Sequence, residues 1–108
     1  MAAAEAGTDV FGAIAAPTRR EILALLTNGA LPVSQIAESF NMSLSAVSQH
    51  LAVLKDARLV QMSKSGKQRI YRINPDPLLD VVEWLNQYEQ FWPAKLDRLE
   101  KHLERKHE

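Results

Sequence analysis

Two short runs of helical periodicity, separated by three residues that break the pattern, constrain this chain more than any other feature in it. The first is introduced by Pro32 and Ser34 and carries Ile36, Ala37 and Phe40 at helical spacing; the second runs from Leu44 to Asp56 with Val47, Leu51 and Leu54 on one stripe. Asn41-Met42-Ser43 separates them, and Ser43 is suited to cap the second helix. Two short helices joined by so tight a turn form a helix-turn-helix arrangement. The side of the second helix away from its apolar stripe carries Ser45, Ser48, Gln49 and Ala52.

The flanking segments supply the rest of a small core. Val10, Phe11 and Ile14 sit at helical spacing in a segment too brief to stand alone, which ends before Pro17. A further helix starts there, either with Pro17 at its first position or with Thr18 and Glu21 as a capping box, and Ile22, Leu23, Leu25 and Leu26 form its buried face up to Asn28-Gly29. Leu59 to Ser63 and Gln68 to Ile73 are β-prone runs about Lys64-Ser65-Gly66-Lys67, which reads as a hairpin. Ile70 opposes Tyr71 and Ile73 in the second run, so periodicity leaves its buried side unassigned. After Asn74-Pro75, Leu78, Val81, Leu85, Tyr88, Trp92, Leu96, Leu99 and Leu103 recur at steps of three and four, and Pro93 is expected to kink or break that helix.

The fold expected is mainly α with a small β-hairpin. Residues 1–8 should fray, 9–92 should form the domain, and 93–108 should be a helical tail. At 108 residues a lone domain of this size has a high surface-to-volume ratio, which favours a partner subunit. The absence of cysteine removes disulfides, thiolate metal ligands and a cysteine nucleophile. The first residues lack the pattern of a secretory signal, and no apolar run approaches the ~20 residues of a membrane span, so a cytoplasmic location without membrane contact is expected.

The formal net charge is zero, yet its distribution is uneven. Lys55, Arg58, Lys64, Lys67, Arg69 and Arg72 stand against the single acid Asp56 in that stretch, whereas Asp76, Asp80, Glu83 and Glu89 line the start of the last helix. Such segregation suits a phosphate-binding surface. The turn that opens the helix at Leu44 would offer Ser45, Ala46, Ser48 and Gln49 to the major groove, with Lys55, Lys64, Lys67 and Arg69 on phosphates. His50 borders the buried stripe and reads first as a hydrogen-bonded packing residue, although its ring could also reach a phosphate.

Pro17-Thr18-Arg19 followed by Ile22-Leu23, then Val47-Ser48-Gln49-His50-Leu51 with Leu54-Lys55, then Gly66 to Tyr71, together resemble the ArsR-like (ArsR/SmtB) family of winged helix-turn-helix repressors. The resemblance covers about Val10 to Trp92. It implies a DNA-binding homodimer built from the first and last helices, a recognition helix over Leu44 to Asp56, and a wing at Lys64 to Arg69. In that frame Leu78, Val81, Leu85, Tyr88 and Trp92 would pack with Phe11 and Ile14 at the dimer interface. Metal-sensing members carry Glu-Leu-Cys-Val-Cys-Asp where this chain reads Ala30-Leu31-Pro32-Val33-Ser34-Gln35, so both thiolate positions are lost. A second family site uses His and carboxylates on the last helix, but Asp80 lacks the nearby His, and His102 and His107 lie further on. No metal and no cofactor are therefore expected, and Trp84-Leu85, Tyr88 and Phe91-Trp92 look like a subset that does not sense metals.

Three functions are open to such a chain. The favoured one is a repressor that binds duplex DNA at a (pseudo)palindromic operator, autoregulation being one of its modes. The second is a winged-helix module that binds another protein through its last helix, with weak, non-specific affinity for DNA. An enzyme is disfavoured, since the chain has no Gly-rich phosphate loop and no spaced His and carboxylate set on a plausible cleft. A gap among the C-terminal aromatics at a subunit interface would suit a small-molecule effector that the sequence does not name.

Overall fold

The computed structural model describes residues 9–92 and, beyond them, Leu103 alone. The expected frayed start at 1–8 and the expected tail at 93–108, Leu103 apart, lie outside the described residues. The described elements are, in order, α1 (Val10–Ala13), α2 (Pro17–Leu26), β1 (Leu31–Pro32), α3 (Val33–Phe40), α4 (Leu44–Asp56), β2 (Val60–Ser65), β3 (Gln68–Ile73), α5 (Leu78–Asn86) and a 3₁₀ turn at Glu89–Phe91.

Local chemistry sets most of these boundaries. The Asp9 carboxylate accepts from the Gly12 amide at 2.9 Å and starts α1. Pro17 takes the first position of α2, so the Thr18–Glu21 capping box is not the device used. Asn41 ends α3 in the left-handed region (φ 53°), and the Met42 amide turns back to the Ala37 carbonyl at 3.1 Å. Two residues later the Ser43 hydroxyl accepts from the Ala46 amide at 3.1 Å, and α4 begins. The helix-turn-helix is thus closed by a C-terminal cap and an N-terminal cap only two residues apart.

The sheet has three antiparallel strands in the order β1-β3-β2. The sequence showed only the hairpin, because a two-residue strand that contains Pro32 has no period to detect. Proline is tolerated there because β1 lies at the edge. The hairpin turn is tighter than expected: Lys64 and Ser65 belong to β2, which leaves Gly66 and Lys67 as the connection. Gly66 has φ 63°, a conformation that disfavours any side chain at this position. The unassigned side of β3 is settled by its neighbours, since Tyr71 lies between Leu31 and Met62 and is buried, whereas Ile70 faces the other way.

Ile22, Leu26, Ile36, Val47, Leu51 and Leu54 meet at the centre of the core with exposures of 1% or less. No polar or charged residue is buried among the described residues. All of the predicted apolar stripe of α4 is therefore turned inward, which fixes the rotation of that helix about its axis.

The last helix departs from expectation by ending earlier than Pro93. α5 stops at Asn86, and the chain tightens into i→i+3 bonds: Tyr88 to the Leu85 carbonyl at 2.9 Å, Phe91 to Tyr88 at 3.0 Å and Trp92 to Glu89 at 3.2 Å. The imino acid ahead bears on the last of these bonds alone. Pro93 has no amide to offer the Glu89 carbonyl and disfavours helical backbone at Trp92. The tighter bond from Trp92 satisfies that carbonyl instead.

Replacing Leu51 with Ala should cost about 2–5 kcal/mol, because the side chain is removed from a site with no exposed surface. Urea unfolding followed by circular dichroism should show a lower midpoint with an unchanged slope.

Candidate nucleic-acid interface

Because Val47, Leu51 and Leu54 point into the core, α4 presents its opposite side to solvent. Ser45 and Gln49 are exposed there, Ala46 and Ser48 are half-buried, and Lys55 is exposed near the far end. The first amides of a helix lack intrahelical partners and favour anions. At α4 the Ser43 hydroxyl occupies one of them, that of Ala46, so Ser43 is a cap.

The hairpin gathers charge at its tip. Lys64 lies directly across from Arg69 and Lys67 sits in the turn, all three exposed. Like charges paired across two strands are locally unfavourable, so this pair is no aid to the hairpin itself. The remaining members of the basic run separate from that group. Arg72 pairs with Gln61 and projects from the opposite face of the sheet. Arg58 adopts the left-handed region (φ 65°) and lines an open cavity of about 550 Å³ with Asp9, Asp56, Asp76 and Asp80. Its carbonyl accepts from the Asn74 side chain at 2.7 Å, and the residue also borders a second open cavity with Lys55. The cationic strip read from the sequence therefore divides into a cluster at the hairpin tip, Arg72 on the other sheet face, and Arg58 at a cavity that four aspartates also line.

His50 is half-buried and meets Arg19 of α2. Arg19 donates from Nε to the Ala13 carbonyl at 2.7 Å and from Nη2 to the Gly12 carbonyl at 3.2 Å, while its Nη1 lies 3.4 Å from His50 Nδ1. A guanidinium can only donate, so in this long contact Nδ1 is on the accepting side. Arg20 adds a bond to the Ile14 carbonyl at 2.8 Å. The two arginines thereby cover the C-terminal carbonyls of α1, where cations also complement the helix dipole. Only spatial folding brings these groups together, and no periodicity could have revealed it.

The residues expected at a dimer interface fall into two groups. Ile14, Leu78 and Val81 are partly buried and pack against the core of their own subunit. Leu85 and Trp92 are half-buried, whereas Phe11 and Tyr88 lie at the surface, joined through Trp84. Phe11 meets Trp84 edge to face at 6.0 Å and Trp84 meets Tyr88 at 5.5 Å. Leu79 (63% exposed), Val82 (50%) and Phe91 (65%) also point outward. Leu79 and Val82 escaped sequence reading because they fall between the steps of three and four.

No group of three or more His, Cys, Asp or Glu suited to a metal ion occurs among the described residues. Pro32 and Ser34, at the positions of the family's thiolates, offer no thiolate donor, and the chain contains no cysteine. A thiolate metal centre therefore does not fit these residues.

The two capped helices followed by the basic hairpin define a winged helix-turn-helix. Residues 16–62 match the model of the arsR family of bacterial regulatory proteins. The transcriptional repressor SdpR of Bacillus subtilis is 40% identical over 77 residues, spanning 71% of this chain and 86% of that protein. The HTH-type transcriptional regulator Rv2034 of Mycobacterium tuberculosis is 40% identical over 84 residues, 78% of this chain and 76% of that protein. A crystal structure of an ArsR family transcriptional regulator superposes with a TM-score of 0.68 at 34% identity, covering 76% of this chain and 84% of that one. The chain belongs to the ArsR family. It is a transcriptional regulator and not an enzyme.

Arg19→Ala should leave the Gly12 and Ala13 carbonyls short of a charged donor and cost about 1.5–3 kcal/mol in urea unfolding. Arg19→Lys should recover only part of this, because one ammonium cannot reproduce the spread of a guanidinium fork.

Proposed function

We propose that this protein represses transcription as a cytoplasmic homodimer bound to a (pseudo)palindromic operator, its own promoter among the targets. The observation that carries the reading is the pairing of an outward, polar α4 with cations gathered at the hairpin tip. Ser48 and Gln49 discriminate bases, helped by Ser45 and Ala46. Lys55, Lys64, Lys67 and Arg69 hold phosphates, and the ring of His50 donates to another. The unfavourable Lys64–Arg69 pairing favours this assignment, since a phosphate near both relieves a repulsion that the free protein carries. SdpR, named a transcriptional repressor, supports the sign of regulation.

What supports the dimer is the state of α5. None of its residues is buried, although most are apolar. Its inner residues rest on the core, and its outer ones, with Phe11, leave an apolar surface of the kind that marks an interface. A second copy covering Phe11, Trp84 and Tyr88 would set two α4 helices at half-sites about 34 Å apart. The nearby Leu79, Val82 and Phe91 extend the contact. No thiolate metal enters this reading. An effector, where one acts, would be an apolar molecule held among the aromatics at the subunit boundary.

Fluorescence anisotropy on the duplex upstream of the gene and on a scrambled duplex tests operator binding. The upstream DNA should bind at least ~1,000-fold more tightly. Lys64→Gln, Lys67→Gln and Arg69→Gln should each weaken all sequences and reduce the salt slope by about one. Arg58→Gln should leave that slope unchanged, and equal weak binding to both duplexes would overturn the reading. For the dimer, Trp84→Asp should shift sedimentation velocity from dimer toward monomer, because it sets a charge in a contact that excludes water.

A further inference from the structure

We propose that Leu44 is a base-reading residue whose isobutyl group covers the C5 methyl of a thymine in each half-site. The inference rests on the operator-binding reading and names a determinant within it. Leu44 is the first residue of α4 and is 55% exposed, although Val47 and Leu51 on the same helix are fully buried. The other large apolar residues that reach solvent, Leu103 aside, belong to α1, α5 and the turn after it, where a second subunit would cover them. Leu44 lies three and seven residues before buried Val47 and Leu51, at the open end of that stripe, yet the core does not cover it. It stands at the opening of the helix offered to DNA, among Ser43, Ser45 and Ser48.

Its position is fixed from both sides. The left-handed Asn41 ends α3, and the Ser43–Ala46 capping bond begins α4, so the backbone at Leu44 is held before any DNA arrives. Ser48 lies one turn further along the same side of the helix. A hydroxyl there can exchange hydrogen bonds with a base edge, but the feature that distinguishes thymine in the major groove is a methyl group, which apolar contact reads. Serines cannot supply that contact well. An exposed leucine one turn earlier supplies it without competing for the polar edges.

The test starts with in vitro selection of duplexes from a random pool by the full-length protein. The selected duplex is then resynthesised with deoxyuridine replacing one thymine at a time, which removes only the methyl. One replacement per half-site should weaken binding about fourfold, the equivalent of ~0.8 kcal/mol for one buried methyl-sized group. In Leu44→Ala the same replacement should make no difference, and selection with Leu44→Gln should no longer enrich thymine at that position. The deoxyuridine scan on the unaltered protein needs no variant, so misfolding cannot obscure it. If no replacement weakens binding, or if the penalty persists in Leu44→Ala, the assignment of Leu44 is overturned while operator binding stands. Failure to enrich any sequence would overturn operator binding itself, and this assignment with it.

Discussion

Burial of three side chains on one helix governs what the rest of the molecule can do. Val47, Leu51 and Leu54 have no exposed surface, and each contributes roughly 1.5–3 kcal/mol by leaving water. That sum does more than hold α4 in place. A rotation about the helix axis would expose one of the three and bury Ser48 or Gln49 without partners, so the outward face is specified by what lies beneath it. An apolar core rather than a polar network holds that outward face, with the rigidity that base reading would require. Ile22, Leu26 and Ile36 complete that support from α2 and α3.

Electrostatics are arranged at the expense of local stability. A net charge of zero would suggest indifference to nucleic acid, yet Lys64, Lys67 and Arg69 gather where the hairpin projects, with Lys64 directly opposite Arg69. The carboxylates of Asp9, Asp56, Asp76 and Asp80 line a different surface, and Arg58 lies among them. Membership of a basic run in sequence is therefore a poor guide to membership of a basic surface, because strand alternation sends Arg72 to one face and Arg69 to the other.

Elements whose signal is local were legible in the sequence. Helix periods, the Ser43 cap, the Asn41 break and the glycine turn each depend on a few consecutive residues, and the bounds of α4 agree with its period. Features decided by distant partners were not. β1 exists because Leu31 and Pro32 lie beside Tyr71 and Ile70, and the same pairing decides which side of β3 is buried. The end of α5 at Asn86 was not legible either: apolar spacing continues to Trp92, but spacing describes where side chains could pack and not how far the backbone stays α-helical. Of the candidate site, residue types and their helix were readable. The separation of Arg58 and Arg72 from the tip cluster, and the link from Arg19 to His50, required the fold.

That link gives α1 a role out of proportion to its four residues. A helix so short has no independent stability, and what holds it is packing on α4 and α5 together with the bonds from Arg19 and Arg20 to its final carbonyls. Phe11 on its outer side touches Trp84 of α5, while Arg19 at its end reaches His50 of α4. α1, with Arg19 of α2 bonded to its final carbonyls, therefore lies between the aromatic surface and α4. Coupling between sites needs a shared physical element whose position both ends sense. The aromatic surface and α4 are thus linked through α1 and the side chain of Arg19.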